Sequence, residues 1–319
     1  MTSRERVFAA MAQQQADRVP VGFWFHFTGE KTRGQACVQA HLDYYNHSDV
    51  DVVKIMCDGY FDYPNPVAKA VKKPSDWYAL KPLGPDSPFI TQQVERAKAV
   101  RKGLRRDMCV LYNVFAPFSY LRFGTSDALV MAHLKEDPAA VQYALDVVAQ
   151  DAATLSRLLI TQAGVDGLYY CLQGGELARF TAQQYRSWIA PGDLAVLNHA
   201  NVYSQRNVLH LCGWAGEQNR LEIWRDYPAC VVNWAVFVEN MDLKRGREYF
   251  HHKTVLGGFD NRPGGVLCCG TKEEVMRQTH QVIDQAGPVG LILGADCTLP
   301  ADIDPQRLNW VAQAAAEHR

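Results

Sequence analysis

Asn207-Val208-Leu209-His210-Leu211-Cys212-Gly213 is the stretch on which the reading of the chain turns. Val208, Leu209 and Leu211 form a short apolar run of the kind a buried strand requires. His210 and Cys212 stand at its downstream end, two residues apart, so an extended backbone points both to one face. An imidazole beside a thiolate at a strand end is half of a zinc site. The same setting recurs in L-I-L-G-A-D-C, Leu291 to Cys297, where Cys297 follows another apolar run. The remaining chain is read as a scaffold that brings these two strand ends together.

Further apolar runs flank this stretch on both sides. Strands are expected at Val21–Phe27, Asp49–Cys57, Cys109–Ala116, Leu168–Leu172, Asn207–Cys212, Cys230–Val236, Thr254–Phe259 and Val289–Gly294. Helical periodicity marks residues 3–16, with Ser3 as N-cap, and Pro138–Ala163, with Val141, Leu145, Val148 and Leu155 on one face. Other helices are expected near 92–102, 182–199 (interrupted at Pro191), 217–225, 243–250 and 305–317. A further one runs over 271–285, where Thr271 and Glu274 form a capping box. Residues 58–92, rich in Pro and aromatics, read as a long irregular excursion. Strands alternating with helices imply a parallel sheet. Eight such units over residues 1–319 predict an α/β fold, a single (β/α)8 TIM barrel. No glycine-rich dinucleotide fingerprint follows the first strand, which disfavours a doubly wound open sheet.

Composition excludes several classes. The formal net charge of -1 gives no electrostatic case for nucleic acid or an anionic membrane. No apolar run approaches the roughly 20 residues of a membrane span, and the charged start lacks a signal-peptide segment, so a cytoplasmic location is expected. Nine cysteines, an odd number, argue against a disulfide framework. Cys109 and Cys171 lie in apolar runs and read as small buried hydrophobes, while the adjacent side chains of Cys268 and Cys269 diverge.

A barrel gathers its active site at the C-terminal strand ends. Those positions hold His26, Cys57-Asp58, Gln173 to Glu176, His210-x-Cys212, Asn233-Trp234, Asp260 and Asp296-Cys297. His210, Cys212 and Cys297 are the expected zinc ligands. Three ligands leave one position open, the pattern of a catalytic site. Two thiolates weaken the zinc as a Lewis acid toward water, which favours activation of a substrate thiol over hydrolysis. Asp260, Glu176 and His26 are the candidates to orient the acceptor or take its proton, and Gln173 and Trp234 to face a bound cofactor.

The chain resembles the uroporphyrinogen decarboxylase superfamily, and within it the cobalamin-dependent methyltransferase branch. R-E-R-V-F-A-A-M from Arg4 and D-R-V-P-V from Asp17 resemble the family's N-terminal signature. F-T-A-Q-Q-Y from Phe180, then Ile189-Ala190-Pro191, is similar to a central helical segment. L-H-L-C-G from Leu209 and G-A-D-C-T-L-P from Gly294 resemble the zinc segments of methylcobamide:thiol methyltransferases. The resemblance implies a (β/α)8 barrel, zinc on His210, Cys212 and Cys297, and a corrinoid (methylcobamide) methyl donor carried on a partner protein. It further implies a small-molecule thiol acceptor; a homodimer is also carried as an expectation. Decarboxylases of the family have an arginine-rich segment after the first strand, which grips substrate carboxylates. Here Phe23 to Glu30 contains no arginine, and Cys297 stands where they have histidine. Where the methyltransferase branch has Gly-Asn, this chain has Gly258-Phe259-Asp260. A decarboxylase-like lyase acting on a tetrapyrrole or smaller acid is the alternative.

Overall fold

Seven short strands run parallel in sequence order: β1 Val52–Ile55, β2 Cys109–Phe115, β3 Gly167–Leu172, β4 Val208–Leu211, β5 Val231–Trp234, β6 Thr254–Phe259 and β7 Leu291–Ala295. They belong to a computed structural model that describes residues 1–318. Every residue of every strand is buried. Helices cover the outer face of such a sheet and side chains fill the inside, so near-continuous apolar runs are what its strands require. The fold is a TIM-barrel-like α/β architecture with a curled parallel sheet.

The expected first strand is the point of difference. Val21–Phe27 forms no ladder; Val21 and Phe25 make isolated parallel bridges to Leu293 and Leu299. The curl is closed by a few bonds around Val21. Gly22 N–H donates to the Leu293 carbonyl at 2.8 Å, Leu293 N–H to the Pro20 carbonyl at 2.8 Å, and Asp51 N–H to the Val21 carbonyl at 2.7 Å. Beyond Gly22 the backbone turns to other partners, as Phe27 N–H does to the Asp58 carboxylate at 2.8 Å. Gly22 sits where the chains press together: a Cβ there would lie 3.0 Å from Val52 Cβ. Eight expected strands thus become seven strands and a bridging segment.

The helices also differ in places. The first spans Ser3–Met11, and Thr2, not Ser3, caps it in a box with Glu5. It stops early where Gln13 adopts a left-handed backbone (φ 56) and donates from Nε2 to Thr254 Oγ1 at 2.7 Å. Within the expected 58–92 excursion lie a helix, Pro66–Ala70, and a 3-10 turn, Pro74–Ala79. The stretch near 217–225 holds only the 3-10 turn Leu221–Ile223. The helices Gly34–His47, Pro117–Gly124 and Asp127–Glu136 were not expected. Gly34–His47 buries Cys37, Val38, His41, Tyr44 and Tyr45, a stripe masked by its polar member. His41 is satisfied inside that stripe by the Cys37 carbonyl at 2.7 Å and the Met56 N–H at 2.9 Å. The Thr271 capping box forms as expected. No helix among the described residues is long and apolar enough to cross a membrane.

Asp193, in the helix Ala190–Tyr203, is fully buried, and burial pushes its carboxyl up to about 7. The Tyr185 and Tyr227 hydroxyls donate to its Oδ2 at 2.8 and 3.1 Å. The native state therefore keeps a proton that the unfolded chain loses near 3.8. Stability from this group falls as pH rises from about 4 to about 7 and is level above. Asp193→Asn should remove that slope: in denaturant titrations at pH 5 and pH 8, wild type should lose stability relative to the variant. Equal pH dependence in the two proteins would refute the assignment.

Candidate metal centre

β4 carries His210 into the barrel interior, and Cys212 follows one residue past its end. Cys212 is held there by its own N–H, which donates to the Leu172 carbonyl at 3.0 Å. β7 ends at Ala295, and the chain then brings Cys297 back over the mouth. Cys297 Sγ lies 3.5 Å from His210 Nε2 and 4.0 Å from Cys212 Sγ. One ligand atom from each of the three residues falls within 4.8 Å of the others. Tetrahedral zinc with ordinary bond lengths would set N···S and S···S separations of about 3.6 and 3.8 Å. The donor set and spacing therefore fit a zinc ion with one position left over.

The surrounding hydrogen bonds orient the imidazole. The Asn233 side-chain amide donates from Nδ2 to the Leu256 and Ala295 carbonyls, at 2.9 and 3.1 Å. Its Oδ1 is thereby turned inward, where it accepts from the Tyr169 hydroxyl at 2.7 Å and faces His210 Nδ1. An amide oxygen only accepts, so Nδ1 carries the proton and Nε2 keeps its lone pair toward Cys297. This is the outer-shell arrangement that metal-binding histidines need.

Donation from Cys212 holds the Cys297 thiol well below the ordinary range. Cys212, as the donor and fully buried, is pushed well above it. Gln173 Nε2 points at Cys212 Sγ from 3.6 Å. The Gln173 Oε1 is anchored by Ser119 Oγ at 3.0 Å and by Arg122. The expected cofactor-facing Gln173 thus touches a metal-capable sulfur. The next residue along from Cys297, Asp296, is buried, and burial pushes its carboxyl up to about 7. Its Oδ2 accepts from Phe237 N–H at 3.0 Å.

The other expected site residues lie outside this cluster. Trp234 points out of the barrel, donating from Nε1 to the Met241 carbonyl at 2.9 Å and packing over Gly246. Strand alternation explains it: Asn233 faces in, so its neighbour faces out. Glu176 accepts from Arg179 Nε at 2.7 Å, and Arg179 also holds Asp127 at 2.7 Å. Burial works to raise the Asp260 carboxyl, but Arg262, 2.7 Å away, overrides it and holds it below the usual range. His26 is 44% exposed and pairs through Nδ1 with Asp58 at 2.7 Å. Asn233, Tyr169 and Lys54 are the residues that sequence reasoning gave no role. A lysine inside the apolar strand V-V-K-I was a visible signal; nothing distinguished Tyr169 in L-Y-Y-C-L.

The sequence pattern of uroporphyrinogen decarboxylase (URO-D) matches residues 59–318. The chain belongs to the uroporphyrinogen decarboxylase family. Comparison with curated protein sequences returns no match. Among solved structures, a methyltransferase from Methanosarcina mazei superposes over 99% of both chains with TM-score 0.74 at 15% identity. A B12-independent methionine synthase from Shewanella sp. W3-18-1 gives TM-score 0.58 at 16% identity, over 94% of this chain and 95% of that one. At such identities the likeness establishes the barrel. In this family member the metal-capable triad spans β4 and β7, three strands apart, and meets across the mouth.

Proposed function

We propose that this family member is a zinc-dependent methyltransferase that moves a methyl group from a corrinoid (methylcobamide) to a small-molecule thiol. The observation that carries the reading is the convergence of His210, Cys212 and Cys297, whose ligand atoms lie within 4.8 Å of one another. Zinc bound there would supply a Lewis-acid position that lowers the pKa of an incoming thiol. The chain's own residues do the rest. Asn233 and Tyr169 keep His210 in its ligating tautomer. Gln173 fixes Cys212 by donating to its sulfur. The enclosing strands hold the acceptor in line for attack, a source of large rate gains.

The mouth suits an apolar, flat donor. Phe123, Leu177, Trp214 and Phe237 follow β2, β3, β4 and β5 and are 37 to 56% exposed. Exposed apolar residues gathered on one rim mark an interaction surface, and the donor is proposed to arrive on a separate corrinoid protein. The decarboxylase alternative is disfavoured by the absence of arginine from Phe23 to Glu30, where bidentate carboxylate clamps would stand.

Purified protein with zinc, methylcobalamin and a panel of small thiols should demethylate the corrinoid, read by its visible spectrum. The rate should vanish on chelation and return with zinc. Stoichiometric zinc without any methyl transfer would sink the enzymatic reading. Decarboxylation of a porphyrinogen by metal-free protein would establish the alternative.

A further inference from the structure

Lys54 sits in the middle of β1, inside the barrel, and is 2% exposed. Its Nζ lies 3.9 Å from the centroid of the Tyr169 ring and 4.9 Å from that of Trp24. Among the described residues no carboxylate lies within ion-pair distance of Nζ, and Nζ makes no hydrogen bond. Aromatic faces attract a cation, but they do not replace a counter-anion. The missing counter-charge has an obvious place. Tyr169, whose ring carries the ammonium, also reaches the metal-capable cluster: its hydroxyl lies 3.1 Å from His210 Nδ1.

The charges of that cluster can be counted. A zinc ion with one neutral imidazole and two thiolates is neutral. A third thiolate in the remaining position makes the centre an anion. We propose that Lys54 is a positioning residue for the metal centre, its ammonium being the fixed counter-charge to the thiolate-rich site. The need is greatest when an acceptor thiolate completes the site. The inference rests on the zinc reading given above and extends it to how the barrel favours a thiolate over a neutral thiol.

A structural lysine and a counter-charge make opposite demands on the metal-free protein. An unpaired buried charge destabilises the apo state, so replacing it with an apolar side chain of similar length should leave that state at least as stable. The same replacement should weaken the metal centre. The test compares the full-length wild type, Lys54→Met and Lys54→Arg. Zinc affinity is measured by competition with a chromophoric chelator. Binding of 2-mercaptoethanol to the cobalt(II)-loaded protein is followed by the sulfur-to-metal absorption band. Stability of the metal-free form is measured by denaturant titration. Lys54→Met should match or exceed wild type in metal-free stability, yet bind zinc at least about tenfold more weakly, the order expected when one unit charge is removed from a partly screened interior. It should lose thiol binding by a larger factor still, and Lys54→Arg should restore part of both. Wild-type zinc and thiol affinity in Lys54→Met overturns the proposal. So does a metal-free Lys54→Met less stable than wild type, which marks the lysine as structural. Failure of the wild type itself to bind zinc or cobalt overturns the functional reading along with this one.

Discussion

Cys297→Ser protein should bind zinc at least about a hundredfold more weakly than wild type, because a site with only three protein ligands depends on each of them and a hydroxyl is a poor substitute for a thiolate. The substitution changes one atom and should leave the barrel folded, since Cys297 lies past the end of β7 and makes no backbone pairing that the sulfur supports. Elemental analysis of dialysed protein gives the direct reading, and chelator competition gives the factor. Corrinoid demethylation should fall with the metal. Full zinc occupancy in Cys297→Ser would remove the β7 segment from the site and, with it, the proposed chemistry. His210→Ala should behave alike in metal content.

Asn233→Leu should be damaging on two counts. The side chain now serves four groups: it donates to the Leu256 and Ala295 carbonyls and receives Tyr169 Oη and His210 Nδ1. All lie in the barrel interior, and Asn233 itself is fully buried. An isosteric apolar residue leaves those groups unpaired, at about 1–3 kcal/mol each when not relieved by relaxation. A loss of about 2–5 kcal/mol in unfolding free energy is expected by denaturant titration. Second, the imidazole loses the acceptor that selects its tautomer. Zinc affinity should then drop by about 10–100-fold beyond any effect of partial unfolding, the range found for outer-shell partners of ligating histidines. A variant within about 1 kcal/mol of wild type, and with full zinc affinity, would mean that Asn233 merely fills space.

The ligands could be read in advance because their signals are local. His210 and Cys212 are two apart in an apolar run, and period two is a property of any extended chain. Cys297 was recognisable from its matching setting after L-I-L-G-A. The capping box at Thr271 and the long helix Pro138–Thr161 were legible for the same reason, since caps and helical stripes span only a few turns. Gly34–His47 escaped because its buried stripe includes His41, a polar residue whose partners, the Cys37 carbonyl and the Met56 N–H, are known only once the helix is packed. Val21–Phe27 looked like the strongest strand and is not one. Its outlying residues find other partners, and its apolar character reports burial, which strands and bridging segments share.

The chain's amino acids determined by themselves the alternation of apolar strands with helices, the parallel barrel that follows from it, and the identity of three soft donors at two strand ends. Those properties depend on neighbours within a few residues. Only the tertiary structure decided that Cys297 meets His210 across the mouth, that Asn233 and Tyr169 set the imidazole, that Trp234 faces outward, and that Lys54 is left without an anion. Each of these depends on the register between strands and on how the curl closes at Val21, distances set by packing across the whole barrel.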